Sequence, residues 1–596
     1  MIHCMIINKV EIKNYRCFEH LEVYLQKLNV IVGENNSGKS NFINALKLPL
    51  NCSSFDFSSK KLHSYDINSK SIEKFNKLAQ KTLKNNKIDN IEPNQFDLFI
   101  SSIPIVSISI QLDDFKDNFE KSIVRKWAVK DNNDDIIFKI TYIFEPRDYI
   151  DFIQKIHEIV NLQADEITSQ NFPIDFYDYK IISEGNNKQI SYDELNLISM
   201  SIIDAERDDF SNSPANKSNN ILTKFLLKEL NSQEINLISE SYFKFFDSIK
   251  DLKALNKFLG SDDAFKNIKN YLQELICVPN IPNLKHIISN ITLAYGSEFL
   301  YQKGLGERNL VYIFLFFAYY KNQADNFNLC CIEEPEAHLG VNKLRAITDF
   351  IYKSINESNS LFQAIITTHS PSIINKLKIE NLIAISNNKA ITLSSFTSDL
   401  NNYLRKRPNF DILKILFADK LILVEGPTEE MLIRTFLEKD NLFLHDVEVV
   451  SIGQKGYKIF LDIWLKLNEG NMNKKIGIVR DYDEQDNAKK EHDEYSINHK
   501  NIYIETTDNY TLEYDLVLKG KNAFSIAKYF QLNYPQEDTK IVTDDTYQDM
   551  CSDIIDLLIN NKADMMSSLC NAILDPNKNV DIELPAHLSN IIKAMK

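Results

Sequence analysis

Apolar and polar positions alternate from Ile6 to Asn14 and again from Leu21 to Leu25, while Leu28 to Val32 is almost wholly apolar. Alternation turns one face of a strand inward, and an unbroken apolar run fits a strand buried on both faces. A glycine-bearing turn follows, with a helix expected from Gly38. Val106–Leu112 and Ile136–Phe144 repeat the strand pattern. From Ile221 to Ile276 the spacing becomes helical, and the pattern predicts amphipathic helices at Leu222–Leu230, Ile235–Leu252 and Ala264–Ile276. Strand–helix alternation then resumes to about residue 395. A fresh β/α alternation starts near Lys420 and passes residue 520, and the chain ends in helices. The expected fold class is α/β. Residues 1–210 and 281–395 form one domain around a helical insert at 211–280, 396–417 are a linker, and 418–596 form a second domain.

Composition narrows this little. With 596 residues, 44% hydrophobic and 25% charged, the chain can build several cores. The net charge of −15 means that any nucleic-acid contact must come from local basic groups, helix N-termini or bound cations. The eight cysteines form no C-x-x-C pair, so a zinc knuckle or redox dithiol has no support in the sequence. Cys330 and Cys331 lie in an apolar run and read as buried thiols. No signal peptide opens the chain, and the longest apolar stretch, Leu310–Tyr320, is too short to span a bilayer. A cytoplasmic protein without membrane contact is expected.

Chemistry enters at Gly33-Glu34-Asn35-Asn36-Ser37-Gly38-Lys39-Ser40, which fits G-x-x-x-x-G-K-[ST] between an apolar strand and a helix. Gly33, Asn36 and Gly38 shape a loop whose backbone N–H groups cradle phosphate. Lys39 brings positive charge to the β/γ oxygens, Ser40 offers a hydroxyl to Mg²⁺, and Asn41 follows in the first turn. Leu329 to Glu334 is a buried strand ending in two acids. Glu333 is placed to orient the Mg²⁺ water shell and Glu334 to polarise an attacking water. Ile365 to Ser370 is a strand ending at His369, a sensor of the γ-phosphate.

In the second half, the apolar strand Leu421–Val424 runs into Glu425-Gly426, with Glu429 one helical turn on. The strand Lys475–Val479 runs into Arg480-Asp481-Tyr482-Asp483. Residues two apart on an extended chain share a side, so Asp481 and Asp483 can converge on one cation. Parallel neighbours would bring Glu425 to the same C-terminal edge. Hard carboxylate oxygens suit Mg²⁺ or Mn²⁺, and a pair of ions about 4 Å apart would serve phosphodiester hydrolysis.

The order GENNSGKS, CCIEEPEAHL, IITTHS resembles the ABC-type ATPases of the SMC, RecF and Rad50 group. That resemblance implies two heads sandwiching ATP, with the helical insert aiding dimerisation. The signature loop then falls at Gly304–Asn309, with Gly306 as a nucleotide contact and Leu305 where the group usually carries Ser or Thr. Gln111, read as ending a strand, is a candidate Q-loop residue. The second half resembles the TOPRIM domain, a Rossmann-like fold. ATPase plus TOPRIM resembles the OLD (overcoming lysogenization defect) nucleases, which include the nuclease subunit of Gabija antiphage systems. The resemblance implies an ATP-regulated DNA endonuclease using Mg²⁺ or Mn²⁺, with a role in antiphage defence. It adds Ser451–Gly456 as a glycine loop, Glu513 in Thr511-Leu512-Glu513 as a further metal carboxylate, and Lys562 as the group that neutralises the transition-state phosphorane. Asp515 is a weaker candidate. His492 and His499 fall in a polar loop and read as solvated.

A nucleotide-switched DNA-binding repair ATPase without nuclease activity is the alternative, and it predicts metal-independent DNA binding without cleavage. A primase or topoisomerase reading lacks a Cys cluster and an assignable Tyr nucleophile. Sequence leaves open whether a helicase subunit or a retron nucleic acid takes part.

Overall fold

The computed structural model describes all residues except 1–4, 53–56, 85–91, 114, 116–120, 122–123, 132, 163–165, 185–187, 205–220, 251–282, 322–326, 357–361, 387, 394–406, 408–409, 440–446, 454–456, 469, 483–485, 535–543 and 579. Contacts divide the chain into two compact units. One comprises Met1–Arg16, Tyr24–Val30 and Phe42–Thr368; the other comprises Cys17–Val23, Ile31–Asn41 and His369–Lys596.

In chain order the strands are β1 (Ile6–Tyr15), β2 (Phe18–Tyr24), β3 (Leu28–Gly33), β4 (Asn51–Cys52), β5 (Val106–Asp113), β6 (Ala128–Lys130), β7 (Ile136–Pro146), β8 (Tyr177–Ser183), β9 (Lys188–Gln189) and β10 (Ile198–Ile203). A hairpin of β11 (Ala294–Tyr295) and β12 (Glu298–Phe299) precedes β13 (Phe327–Glu333), β14 (Phe362–Thr367), β15 (Leu382–Ser386) and β16 (Lys389–Thr392). One sheet runs β2-β1-β5-β7-β8-β9, with β6 beside β7. A second runs β16-β15-β3-β14-β13-β10-β4, with β13 parallel to both β10 and β14. β3 and β14 are buried at every position, and β13 at all but Glu333. That explains their continuous apolar runs, because a strand covered on both faces has no solvent side to make polar.

Gln363, fully buried on β14, accepts from Ile7 N (2.9 Å) and donates Nε2 to Ile7 O (2.8 Å) and Gln26 O (2.7 Å). It thereby stitches β1, the second strand of the first sheet, to the mixed sheet. Behind the phosphate-loop helix α1 (Lys39–Leu46), buried Lys60 donates to Lys47 O (3.2 Å), Leu48 O (2.6 Å) and Leu50 O (2.7 Å). These carbonyls lie beyond the last turn of α1, where helical partners run out.

The predicted helices at Leu222–Leu230 and Ile235–Leu252 appear as α2 (Ile221–Glu229) and α3 (Ser232–Lys250); the one at Ala264–Ile276 lies outside the described residues. Leu237 and Phe245 on α3 are each 61% exposed. Leu310–Tyr320 lies within α4 (Leu305–Lys321). Among the described residues no helix is long and apolar enough to cross a membrane.

The C-terminal part begins with α5 (Ile412–Phe417) and continues through β17 (Lys420–Val424), α6 (Pro427–Lys439), β18 (Val447–Ser451), α7 (Tyr457–Asn468), β19 (Lys475–Arg480), α8 (Asp486–Asn498), β20 (Ile502–Thr506) and α9 (Leu512–Leu518), and later helices include α10 (Lys562–Leu574) and α11 (Ala586–Met595). Its sheet has the order β18-β17-β19-β20, parallel throughout. Residues 412–417 were expected as linker. They fold instead, because Ile412, Ile415 and Leu416 recur at helical spacing and are fully buried.

Replacing Gln363 with Leu removes its bonds to the N–H and C=O of Ile7, while Gln26 O keeps Asn29 Nδ2 (2.6 Å), and is expected to cost about 1–3 kcal/mol, read as a lower unfolding midpoint. Burial pushes the Lys60 ammonium down from its ordinary 10.5 to about 8. The unfolded chain therefore binds a proton that the folded chain releases between pH 8 and 10.5, so the Lys60 contribution to stability grows as pH rises through that window. In denaturant titrations, the midpoint difference between wild type and Lys60→Met is expected to move in favour of wild type from pH 8 to 10.5.

Candidate functional site

The side chains singled out in the sequence fall into two sets, each gathered around strand C-termini. The phosphate loop leaves β3 and enters α1. Asn36 (φ 66°) and Gly38 (φ 106°) both take left-handed backbone. A Cβ on Gly38 would lie 2.7 Å from Phe18 Cζ and 2.8 Å from Cys17 Sγ, so conformation and space both demand glycine. Lys39 is buried, and its ammonium donates to Gly33 O (2.9 Å) and Glu34 O (3.0 Å). Ser40 is exposed in the first turn of α1, and Asn41 beside it donates to Cys17 Sγ (3.2 Å). The loop thus presents a cation, a hydroxyl and a helix N-terminus, which together suit an anion.

Glu333 ends β13 and Glu334 follows with φ 41°, its N–H bound to Thr367 O (2.9 Å). A left-handed Glu at a strand tip is strained backbone of the kind held at functional sites. Glu336, which sequence reasoning passed over, accepts from the Thr368 hydroxyl (2.7 Å). His369 follows β14 and is half-buried. By strand order, the loop after β3 and the acids after β13 belong to one sheet with β14 between them. Gly306 lies at the start of α4, where a Cβ would meet His338 O at 2.4 Å. Gly306 and Leu305 line a cavity of about 660 Å³ with Glu307 and Lys343, which are themselves ion-paired. Gln111 does not end its strand: β5 continues to Asp113, and Gln111 pairs in register with Lys9 and Lys139.

The second set lies along the C-terminal edge of the parallel sheet. Glu425 follows β17 and accepts from Asp481 N, just past β19, at 3.2 Å. Register pairs Leu423 with Ile478, so both strands end at the same level. Asp481 Oδ1 accepts from Leu512 N (3.1 Å) at the start of α9. Glu429, 6% exposed in the first turn of α6, accepts from Gly426 N (3.0 Å) and from the Thr428 hydroxyl (3.1 Å). This is the reach-back of a helix capping box, and α6 opens with Pro427. Burial raises the Glu429 carboxyl above the ordinary range, and the nearby Glu513 charge pushes the same way. Glu513 is 2% exposed, accepts from the Thr511 hydroxyl (2.7 Å) and faces Lys562 Nζ at 3.3 Å. Asp483 and Gln454–Gly456 lie outside the described residues, whereas Gly453 is described, with φ 82° and its N–H on Glu425 O (2.9 Å).

The predicted residues Glu425, Glu429, Asp481, Glu513 and Lys562 therefore come from α9, α10, the start of α6 and two strand tips to one edge. Asp515 points elsewhere, accepting from Asp508 N and Asn509 N (2.8 Å each). His492 and His499, expected in a loop, fall on and just after α8. Sequence reasoning missed Tyr457 at the start of α7. It is buried, its hydroxyl donates to Val479 O (2.7 Å), and burial with the charges of Glu425, Glu429 and Asp481 holds its phenol well above ordinary. Only its place straight after the glycine loop signalled it.

Against the four described carboxylates stand Lys562, paired with Glu513, and the buried Arg480, whose Nε donates to Asp481 O, so negative charge is in excess at this edge. Among the described residues no three of these carboxylates bring oxygens within 4.8 Å of one another, so they line an edge rather than close on a point. An all-oxygen donor set with surplus charge fits hard divalent cations.

Residues 5–374 match the family described as AAA ATPase domain, and residues 416–483 match the overcoming lysogenization defect protein-like TOPRIM domain. The chain is 25% identical over 517 residues to Endonuclease GajA of Bacillus cereus (strain HuB5-5), covering 73% of this chain and 68% of that protein. Endonuclease GajA of strain VD045 is 24% identical over 461 residues with the same shares. The solved C-terminal region of the Burkholderia pseudomallei OLD protein matches at 16% identity and a TM-score of 0.22, over 30% of this chain and 97% of that one.

Replacing Gly38 with Ala is expected to abolish nucleotide binding by calorimetry while leaving the circular dichroism spectrum unchanged.

Proposed function

The chain belongs to the AAA ATPase domain family and carries an OLD-like TOPRIM domain, and on that premise we propose that it is an ATP-regulated, divalent-metal-dependent DNA endonuclease of antiphage defence. The carrying observation is the convergence of Glu425, Glu429, Asp481 and Glu513 on one sheet edge, with Glu425 and Asp481 in direct contact. Similarity to two endonucleases of one name supports the same reading.

Glu425, Glu429, Asp481 and Glu513, together with Asp483, would hold the cations, Mg²⁺ or Mn²⁺. Bound there, two such ions supply an activated water and charge stabilisation for the leaving oxygen. The protein's own part is to hold the carboxylates ionised and in place. The Gly426 N–H and the Thr428 hydroxyl fix Glu429, the Leu512 N–H fixes Asp481, and Thr511 fixes Glu513. Lys562 brings the positive charge that stabilises an anionic phosphorane, and its pairing with Glu513 holds it at the edge.

In the ATPase part, Lys39, Ser40 and the loop N–H groups take the phosphates. Glu333 and Glu334 organise Mg²⁺ and water, His369 senses the γ-phosphate, and Gly306 serves a second copy of the chain. Phosphate would draw Lys39 from the carbonyls of Gly33 and Glu34. Glu34 is also ion-paired at 3.0 Å with buried Lys474, the residue before β19, and this contact supports nucleotide control of the nuclease sheet. The apolar exposure of α3 supports homodimerisation.

Plasmid incubated with the purified chain and Mg²⁺ or Mn²⁺ tests the reading. Glu425→Ala and Asp481→Ala are each expected to abolish cleavage and leave ATP binding within about twofold of wild type. Lys39→Ala is expected to abolish ATP binding and the nucleotide response while cleavage persists. Cleavage that survives in both carboxylate variants overturns the assignment.

A further inference from the structure

The terminal helix α11 buries Leu588, Ile591, Ile592 and Met595 in the core of the second unit. His587, on the same helix, is polar and yet only 2% exposed. Its Nδ1 lies 3.1 Å from Asp515 Oδ2, and Asp515 is equally enclosed. The Asp515 carboxylate also accepts from Asp508 N (2.8 Å), Asn509 N (2.8 Å) and Asn509 Nδ2 (2.7 Å). Glu505, whose carboxylate accepts from Asn590 at 3.4 Å, also lies within electrostatic reach of His587.

The turn that Asp515 grips runs straight into the carboxylate edge. Thr507 accepts from Tyr482 N (2.9 Å), donates its hydroxyl to Asn509 O (2.8 Å) and donates its N–H to Arg480 O (3.0 Å). Two residues past Asn509, Thr511 holds Glu513, and Leu512 N holds Asp481. Buried Asn522 adds a second clamp, donating to Leu516 O (2.7 Å) and Glu583 O (2.8 Å) and accepting from Glu583 N (2.8 Å). The segment leading into α11 is thus fastened to the end of α9. The path thus leads from the close approach of His587 to Asp515, through the bonds of Asp515 to the 508–509 turn, and along the chain to Thr511 and Leu512, which hold Glu513 and Asp481.

We propose that His587 and Asp515 are positioning residues of the nuclease, by which the C-terminal helix sets the placement of Asp481 and Glu513 for divalent cations. The proposal rests on the endonuclease reading. A pair with a purely structural part would alter stability and leave cation affinity alone. Outer groups that orient metal-binding side chains change affinity by about 10–100-fold when removed.

The test uses the full chain and two readouts: Mn²⁺ binding by electron paramagnetic resonance of the free ion, and plasmid cleavage across a Mn²⁺ series. His587→Ala is expected to weaken Mn²⁺ binding about tenfold, to shift half-maximal cleavage to correspondingly higher Mn²⁺, and to leave cleavage at saturating Mn²⁺ near wild type. His587→Asn, which keeps a donor near the Nδ1 position, is expected to recover most of the affinity. Asp515→Asn is expected to match His587→Ala, and ATP binding serves as the folding control. If His587→Ala does not fold, the Asp515→Asn and His587→Asn pair decides by the same criterion. Mn²⁺ affinities within twofold of wild type in folded His587→Ala or Asp515→Asn overturn the inference. Wild type that neither binds Mn²⁺ nor cleaves overturns the endonuclease reading instead.

Discussion

Carboxylates drawn from separate stretches of chain repel one another and resist burial, yet here they are brought to one edge of a parallel sheet. Glu429 and Glu513 are almost fully enclosed, and burial, with the Glu513 charge behind it, raises the Glu429 carboxyl. Such a cluster is costly unless each oxygen finds a donor or a cation. The backbone supplies part of the compensation: Gly426, Asp481 and Leu512 each aim an N–H at a carboxylate. Lys562 supplies a charge from a helix far along the chain. The surplus negative charge is what divalent cations would balance, and the endonuclease reading follows from it.

The phosphate loop obeys the same rule with the sign reversed. Lys39 is buried, and carbonyls of its own loop satisfy its ammonium. Left-handed backbone occurs at both tips: Asn36 and Glu334 have positive φ, and Gly38 supplies the conformation glycine adopts freely. In both halves buried apolar strands deliver charged residues to their ends, so the cores and the sites are specified by the same segments. Glu34 joins the two ideas, since it lies within the phosphate loop and meets the lysine just before β19.

Much of this was legible in sequence because the signals were local. β3, β13, β14, β17 and β19 are buried apolar runs ending in Gly33, Glu333, Thr367, Val424 and Arg480, and such runs are read directly from hydrophobicity. Glu425 and Asp481 follow from strand ends alone. The linker reading failed at residues 412–417 because the polar stretch before them was carried too far, into an apolar run that folds as a short helix. Gln111 misled because β5 extends to Asp113. Tyr457, Glu336 and His587 were illegible for another reason: their partners Val479, Thr368 and Asp515 are distant in sequence, and only the fold makes them neighbours.

Anomalous diffraction from crystals of the full chain grown with Mn²⁺ tests the central claim most directly. The account predicts manganese peaks coordinated by Glu425 and Asp481, with Glu429 or Glu513 sharing the site. Manganese bound elsewhere on the molecule, with none in contact with Glu425 or Asp481 at saturating concentration, would contradict it.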